Sequence, residues 1–291
     1  MVYTIKEQGE GKVMRVIGVG DNVVDKYMYK RIMYPGGNAL NLSVYAKQLG
    51  VDAAYLGVFG DDKAANHIIE TLNHFKIDIS HCRQHPGENG FAAVDLVDGD
   101  RVFIGGNDGG VQNTHPIILT QEDLDYIRTF ELAHSSIYSG MEGELHKLRE
   151  AGIRVSFDFS ADYNESVLKE ICPVVDISLL SCGQLQTDEV KDLLTYVCSL
   201  GSSMAIGTMG SRGAMVFNGT NFYKQKPHFV KPVDTLGAGD SFFTAFILEY
   251  LKGKKIAVNE DQLIKQSLEA GAKFAAQTCL VDGAFGFGIE F

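Results

Sequence analysis

Apolar, β-branched runs alternate with amphipathic helical patterns along most of this chain, and that alternation leaves few architectures open. "VMRVIGVG" (13–20) reads as a buried strand ending in glycine, and "NALNLSVYAKQLG" (38–50) as a helix stopped by Gly50. "AAYLGVFG" (53–60) reads as a second strand, and "DDKAANHIIETLNHF" (61–75) sets Ala65, Ile68, Leu72 and Phe75 on one helical face. Farther on, "LAHSSIYSG", "IRVSFDFS", "VDISLLS" and "SMAIGT" are short strands, most of them separated by helical patterns such as "TQEDLDYIRTF" (120–130) and "TDEVKDLLTYVCSLG" (187–201). In the first of those helices Thr120 and Asp123 stand at capping-box spacing. "AMVFNGTNFYKQK" (214–226) predicts a hairpin around Asn218-Gly219, and "DQLIKQSLEAGAKFAAQTC" (261–279) a long closing helix. Such a sequence implies an α/β fold with a mostly parallel sheet covered on both faces. Ligands in these folds bind beyond the carboxyl ends of the strands.

Two segments break the alternation. "GFAAVDLVDGDRVFIGG" (90–106) has two β-rich runs around "DGD", a hairpin signal, and "DNVVDKYMYKRIMY" (21–34) is also β-rich. Together they predict a small β lid inserted in a single domain spanning residues 1–291, with residues 1–12 as a short extension. With 45% hydrophobic residues the chain has ample material for one sizeable core. The lid's open edge predicts a homodimer.

The charge balance narrows the partners. Twenty-six basic against 37 acidic residues give a net charge of -11, spread along the chain, which argues against nucleic acid as a partner. An anionic small molecule would need local backbone donors, basic side chains or a metal ion. No stretch is long and apolar enough for a membrane span. Five cysteines without a C-x-x-C pair, and an N-terminus without an apolar signal run, lead to the expectation of a reduced, cytoplasmic protein. The eight histidines show no metal-ligand spacing and read as surface or packing residues.

Small residues cluster in "DTLGAGDSFFTAFILEYL", where Gly237, Ala238 and Gly239 stand just before Asp240 and an apolar helical run. That places them at a helix N-terminus, where free N–H groups and the positive end of the dipole can hold an anion. Asp240 is then either a helix cap or a general base beside an anion hole. The common nucleotide loops are absent: there is no G-x-x-x-x-G-K-[ST], and "GVGDNV" has Val23 where a dinucleotide loop needs its third glycine.

"DTLGAGDSF" (234–242) resembles the C-terminal signature of the ribokinase-like (PfkB) carbohydrate kinases, and the resemblance extends over nearly the whole chain from about residue 13. "GDNVVD" (20–25) and "GGNALN" (36–41) are similar to the family's sugar-binding segments. "GGNALNLSVY", "DRVF" and "FDFS" look most like the members that act on fructoselysine. The family implies a three-layer ribokinase-like fold and ATP-dependent phosphorylation of a sugar primary hydroxyl, here the 6-hydroxyl of fructoselysine. It implies that Asp240 is the base and that Gly237, Ala238 and Gly239 offer N–H groups to the γ-phosphate. It implies sugar contacts from Asp21, Asp25, Gly37, Asn38 and Asn41. Thr208, Gly210 and Gly213 in "GTMGSRGAMVF" would lie near ATP, and Ala272 and Ala275 near adenine.

Two departures bear on Mg²⁺. Where the family often has N-x-x-E, "SCGQ" (181–184) has Ser181 and Gln184; where it often has D-x-N, this chain keeps Asp158 but has Ser160. Asp158 remains the candidate Mg²⁺ residue. Two other readings stay open: a kinase of the same fold for a nucleoside, ribose or another ketose, and a sugar- or nucleotide-binding regulator with weakened catalysis.

Overall fold

The computed structural model describes residues 14–97, 100–256 and 258–291; the expected extension (1–12) and the Asp98-Gly99 tip of the predicted hairpin lie outside them. The strands are β1 (Arg15–Val19), β2 (Val23–Tyr27), β3 (Ile32–Gly36), β4 (Asp52–Leu56), β5 (Val58–Phe59), β6 (Arg83–Gln84), β7 (Gly90–Val97), β8 (Asp100–Gly106), β9 (Leu132–Ser136), β10 (Val155–Asp158), β11 (Ile177–Ser181), β12 (Met204–Thr208), β13 (Ala214–Phe217), β14 (Phe222–Gln225) and β15 (Ile289–Glu290). The helices are α1 (Asn38–Gln48), α2 (Lys63–His74), α3 (Val111–Thr114), α4 (Gln121–Ile127), α5 (Leu145–Glu150), α6 (Glu165–Ile171), α7 (Thr187–Leu200), α8 (Ala238–Lys255) and α9 (Glu260–Thr278).

Eight strands form the main sheet in the order β14-β13-β12-β11-β10-β9-β1-β4. All neighbours from β4 to β12 pair in parallel, and the β13–β14 hairpin adds an antiparallel edge. Strands covered on both faces need apolar residues at both parities. Val16, Leu132, Leu179 and Ile206 therefore pack with Leu42, Phe243, Phe246 and Leu268 of α1, α8 and α9. Ile17, Ala133, Phe157 and Leu180 pack on the opposite face with Leu148, Leu168, Val190 and Leu194 of α5, α6 and α7. The result is a three-layer sandwich whose strand ends open toward the α1 and α8 N-termini. Full burial of such a side chain contributes about 1.5–3 kcal/mol, so the two apolar faces fix which side of each strand faces which helix layer.

One close approach seats the site. A Cβ at Gly18 in β1 would lie 1.9 Å from the Ala39 carbonyl oxygen and 2.8 Å from Ser43 Oγ. Glycine there lets the first turn of α1 rest on the sheet, and the Gly18 N–H donates to Ser43 Oγ at 3.2 Å.

The second sheet has the order β15-β3-β2-β7-β8. It draws on both segments that break the alternation, 21–34 and 90–106. The β7–β8 hairpin is antiparallel, with a register shift between Ala93 and Val94. The edge strand β15 was not legible, since two residues carry no periodicity. The strand expected over 53–60 is divided: β4 ends at Leu56, and β5 pairs with β6 instead. The Tyr55 side chain folds across Gly57, where an added Cβ would fall 2.0 Å from its hydroxyl oxygen. Among the described residues no helix is long and apolar enough to cross a membrane.

Candidate active site

The loop before α8 ends at Gly237, the helix N-cap, held at φ 70°. A Cβ there would lie 2.3 Å from Tyr45 Oη, so the site demands glycine both sterically and conformationally. Asp240 follows in the first turn, yet it does not cap its own helix: α8 has no side-chain cap bond. Its carboxylate instead accepts from Asn38 Nδ2 at 2.9 Å and from Asn41 Nδ2 at 2.6 Å. Those two asparagines lie one turn apart on the face of α1 that packs on α8. The helix-cap alternative for Asp240 is thereby removed.

Asn38 also donates to Asp158 Oδ2 at 2.7 Å, tying the end of β10 to the start of α8. Asp158 Oδ1 accepts from the Ser160 N–H at 2.7 Å. Burial, with the Asp21 charge adding to it against the two amide bonds, pushes the Asp240 carboxyl up to about 6. Burial and the neighbouring Asp240 charge push Asp158 up to about 7. The Tyr45 hydroxyl, buried beneath the same carboxylate, holds its proton well above the ordinary range and donates to the Ala284 carbonyl at 2.6 Å.

The remaining residues expected to contact the sugar fall in the same place, and the fold also uses them structurally. Asp21 accepts from the N–H groups of Asn38 at 2.6 Å and Ala39 at 3.2 Å and from the hydroxyls of Ser136 and Ser139. It therefore caps α1 from outside the helix, a role Gly37 cannot supply with no side chain. Gly37, at φ 115°, lets the chain pass within 2.7 Å of Asn22 Cα, measured from an added Cβ. Asp25 on β2 is buried, and a Cβ at Gly36 would lie 2.7 Å from its Oδ2.

Two cavities meet here. The larger, about 1100 Å³, is lined by Asp21, Asp25, Asn38, Asn41, Asp158 and Asp240, with Phe91 and Phe103 reaching in from the second sheet and Asp108 from the turn after β8. The smaller, about 470 Å³, is lined by Thr208, Gly210, Gly213, Phe242, Ala272 and Ala275. Thr208, Thr235, Ala238 and Gly239 line both. The α8 N-terminus thus forms the wall between them. Among the described residues the N–H groups of Gly239 and Asp240 have no acceptor, as the first turn of a helix requires, whereas that of Ala238 turns back to the Thr235 carbonyl at 3.3 Å. An added Cβ at Gly239 meets nothing within 4 Å. Gly213 differs: it sits at φ 90° with an added Cβ only 1.9 Å from the Gln225 carbonyl oxygen, so it shapes the turn against β14.

Among the described residues no three His, Cys, Asp or Glu side chains converge on a metal position. Asp158 stands with Ser160 and Ser181 on the cavity wall, while Gln184 lies outside both cavities. A lone carboxylate does not make a resident metal cage. It does fit Mg²⁺ that arrives with phosphate and water ligands and needs only one or two carboxylates.

Sequence reasoning missed Asp108, Gln112 and Tyr138 on the larger cavity, and missed His134. His134 is buried and its Nε2 lies 2.9 Å from Asn38 Oδ1. The available signal was the run of three polar residues, His134-Ser135-Ser136, in a wholly buried strand.

Comparison with known proteins agrees with this geometry. The pfkB family carbohydrate kinase model matches residues 11–156 and 165–286. Fructosamine kinase FrlD of Bacillus subtilis is 38% identical, covering 96% of this chain and 95% of its own length. Fructoselysine 6-kinase of Escherichia coli is 28% identical over 92% of this chain and 98% of its own. Among solved structures, Arabidopsis thaliana ribokinase complexed with ribose and ATP superposes with a TM-score of 0.76 at 18% identity, covering 94% of this chain and 95% of its own. Aminoimidazole riboside kinase from Salmonella enterica gives 0.72 at 18% identity, covering 93% and 95%. The fold is ribokinase-like, and the chain belongs to the pfkB family of carbohydrate kinases, as an ATP-dependent sugar kinase.

Proposed function

We propose that this kinase transfers the γ-phosphoryl of ATP to the 6-hydroxyl of fructoselysine, with Asp240 as general base. The observation that carries the base assignment is the position of Asp240, at the junction of the two cavities and held by two amides rather than by its own helix. A base titrating near 6 is ionised at neutral pH yet basic enough to draw a proton from a hydroxyl in the transition state. The open N–H groups of Gly239 and Asp240, with the α8 dipole behind them, face the position of the transferring phosphoryl. They stabilise charge that develops there. Mg²⁺ carried by the nucleotide would be held by Asp158 and would neutralise phosphate charge. ATP occupies the smaller cavity, its adenine against Ala272 and Ala275.

The charge of the sugar cavity supports the Amadori substrate. Its described lining holds the carboxylates of Asp21, Asp25, Asp108, Asp158 and Asp240 and no lysine or arginine. A sugar phosphate would meet repulsion without a paired cation, whereas the secondary ammonium of an Amadori product finds acceptors. The lid-side Asp25 and Asp108 face that amine in this reading. The names of the two relatives point the same way. ADP release measured over fructoselysine, fructose, ribose, adenosine and fructose 6-phosphate tests it. Fructoselysine should give the highest kcat/KM; a plain sugar, a nucleoside or a sugar phosphate doing as well refutes the substrate.

The second sheet serves as the lid over the sugar. Its edge strand β8 carries Val102, Phe103 and Ile104 exposed in sequence, a surface suited to pairing with a second copy. Sedimentation showing only monomer at working concentration removes the dimer.

A further inference from the structure

Asn38 touches both carboxylates of the site, and its amide has two unlike ends. Asp240, ionised at neutral pH, is an acceptor only, so Asn38 must turn its Nδ2 toward it, and the second N–H of that nitrogen is directed at Asp158. Rotated half a turn, the amide would set its oxygen against the Asp240 carboxylate. The other end of the amide meets His134 Nε2 at 2.9 Å. His134 lies mid-β9, 2% exposed, with its ring 5.0 Å from that of Phe243 on α8. Its Nδ1 lies 2.8 Å from Ser156 Oγ, on the β10 residue in register with it.

With the Asn38 N–H groups turned to the carboxylates, the polarity of the remaining bonds follows. Because Asn38 Oδ1 can only accept, His134 Nε2 carries the proton. Its Nδ1 is then bare and accepts from the Ser156 hydroxyl. Burial keeps the ring neutral, lowering it to about 3, so this tautomer persists across the working pH range.

We propose that His134 is a positioning residue for phosphoryl transfer: its Nε2–H locks the Asn38 amide in the one orientation that presents N–H groups to Asp158 and Asp240 together. This rests on Asp240 being the base. Asn41 holds only the Oδ2 of Asp240, and Asn38 holds its Oδ1. Fixing the carboxylate against the sugar hydroxyl therefore needs Asn38 held from behind. The sequence supports the placement at each step. Gly18 brings the start of α1 onto the sheet, and two polar residues on neighbouring strands, His134 and Ser156, fall on that same face.

The test compares His134→Phe, which keeps a ring but donates nothing, with His134→Gln, whose amide places an N–H near the Nε2 position. His134→Phe should lower kcat by about 10–100-fold with the KM values for sugar and ATP changed less than about threefold. His134→Gln should recover most of the rate. A His134→Phe variant with near-normal kcat overturns the role, as does His134→Gln equally impaired, which would mean packing alone. Long-range ¹H–¹⁵N correlation of the imidazoles in the unmodified enzyme keeps the matter decidable if the variants do not fold. One histidine must appear as the neutral Nε2–H tautomer and not titrate between pH 5 and 8; its absence overturns the proposal. Asp240→Asn separates this from the reading beneath it. A normal rate there refutes the base, whereas a slow Asp240→Asn beside a normal His134→Phe refutes only the positioning.

Discussion

Gly239→Ala separates two reasons for a small residue at the start of α8. Gly239 lies in the helix, outside the positive-φ glycines, and an added Cβ meets nothing within 4 Å. If the residue only began a helix, alanine would be the better choice: it lowers the entropy of the unfolded chain and favours the helix by about 0.5–1 kcal/mol. The expected gain in Tm is then roughly 1–3 °C for a chain of this size. The open space is at the wall shared by the two cavities, where the proposed mechanism places the phosphoryl group. If the nucleotide's phosphates lie there, a methyl at Gly239 occupies space they need against the Gly239 and Asp240 N–H groups. Loss of one such donor contact costs about 10²–10³ in kcat. The variant should therefore melt at or above the parent temperature and yet lose about 10²-fold or more in kcat/KM for ATP. Gly237→Ala is the counterpart: its Cβ strikes Tyr45 Oη at φ 70°, so it should lower Tm, at a cost of about 1–3 kcal/mol. Differential scanning calorimetry with coupled ADP-release kinetics reads both. Gly239→Ala with parent turnover would refute the phosphoryl position argued above.

Asp240→Asn should lower kcat by about 10²–10⁴ while ATP affinity, read by titration calorimetry, changes far less. The pH dependence has a definite sign. If Asp240 is the base it acts as the carboxylate, and with its pKa raised to about 6 kcat/KM should hold above that value and fall tenfold per unit below it; a profile flat to pH 5 contradicts the assignment. Stability runs the other way. Folded Asp158 and Asp240 keep protons that the unfolded chain releases near 4, so these two groups weaken the fold as pH rises from about 4 to 7. Replacing Asp158 by Asn should therefore flatten the decline in Tm across that window. Asp108→Asn should raise KM for fructoselysine about threefold or more and leave fructose unaffected, since only the former carries the amine.

Much of the fold was legible because parallel strands buried on both faces announce themselves as apolar runs. "RVIGV" and "ISLLS" can be little else when helical patterns flank them. The capping box at Thr120 and Asp123 forms as its spacing implied. What failed was local geometry set by distant contacts. Nothing within "AAYLGVFG" says that Tyr55 will turn its ring across Gly57 to reach the Gly20 carbonyl and Asn22, and so end the strand early. The short β15 exists only because the second sheet offers β3 an open edge.

The site was half legible for a related reason. Asp240 stood out because small residues and a carboxylate cluster in one stretch of sequence. Asp21 lines the larger cavity as expected, and its carboxylate also holds the α1 N-terminus and two serines. That role depends on Ser136 and Ser139, more than a hundred residues away. His134 and Ser156 were invisible as partners, since only the register of β9 on β10 brings them side by side. Burial makes the arrangement demanding. A polar strand residue under α1 must find a partner or cost about 1–3 kcal/mol, and the partner it finds is the amide that orients the two carboxylates. If His134 is the positioning residue, the bonds that satisfy the core also aim the base, and a polar run in a buried strand, such as His134-Ser135-Ser136, is where a sequence of this fold should be searched for the residues behind its active site.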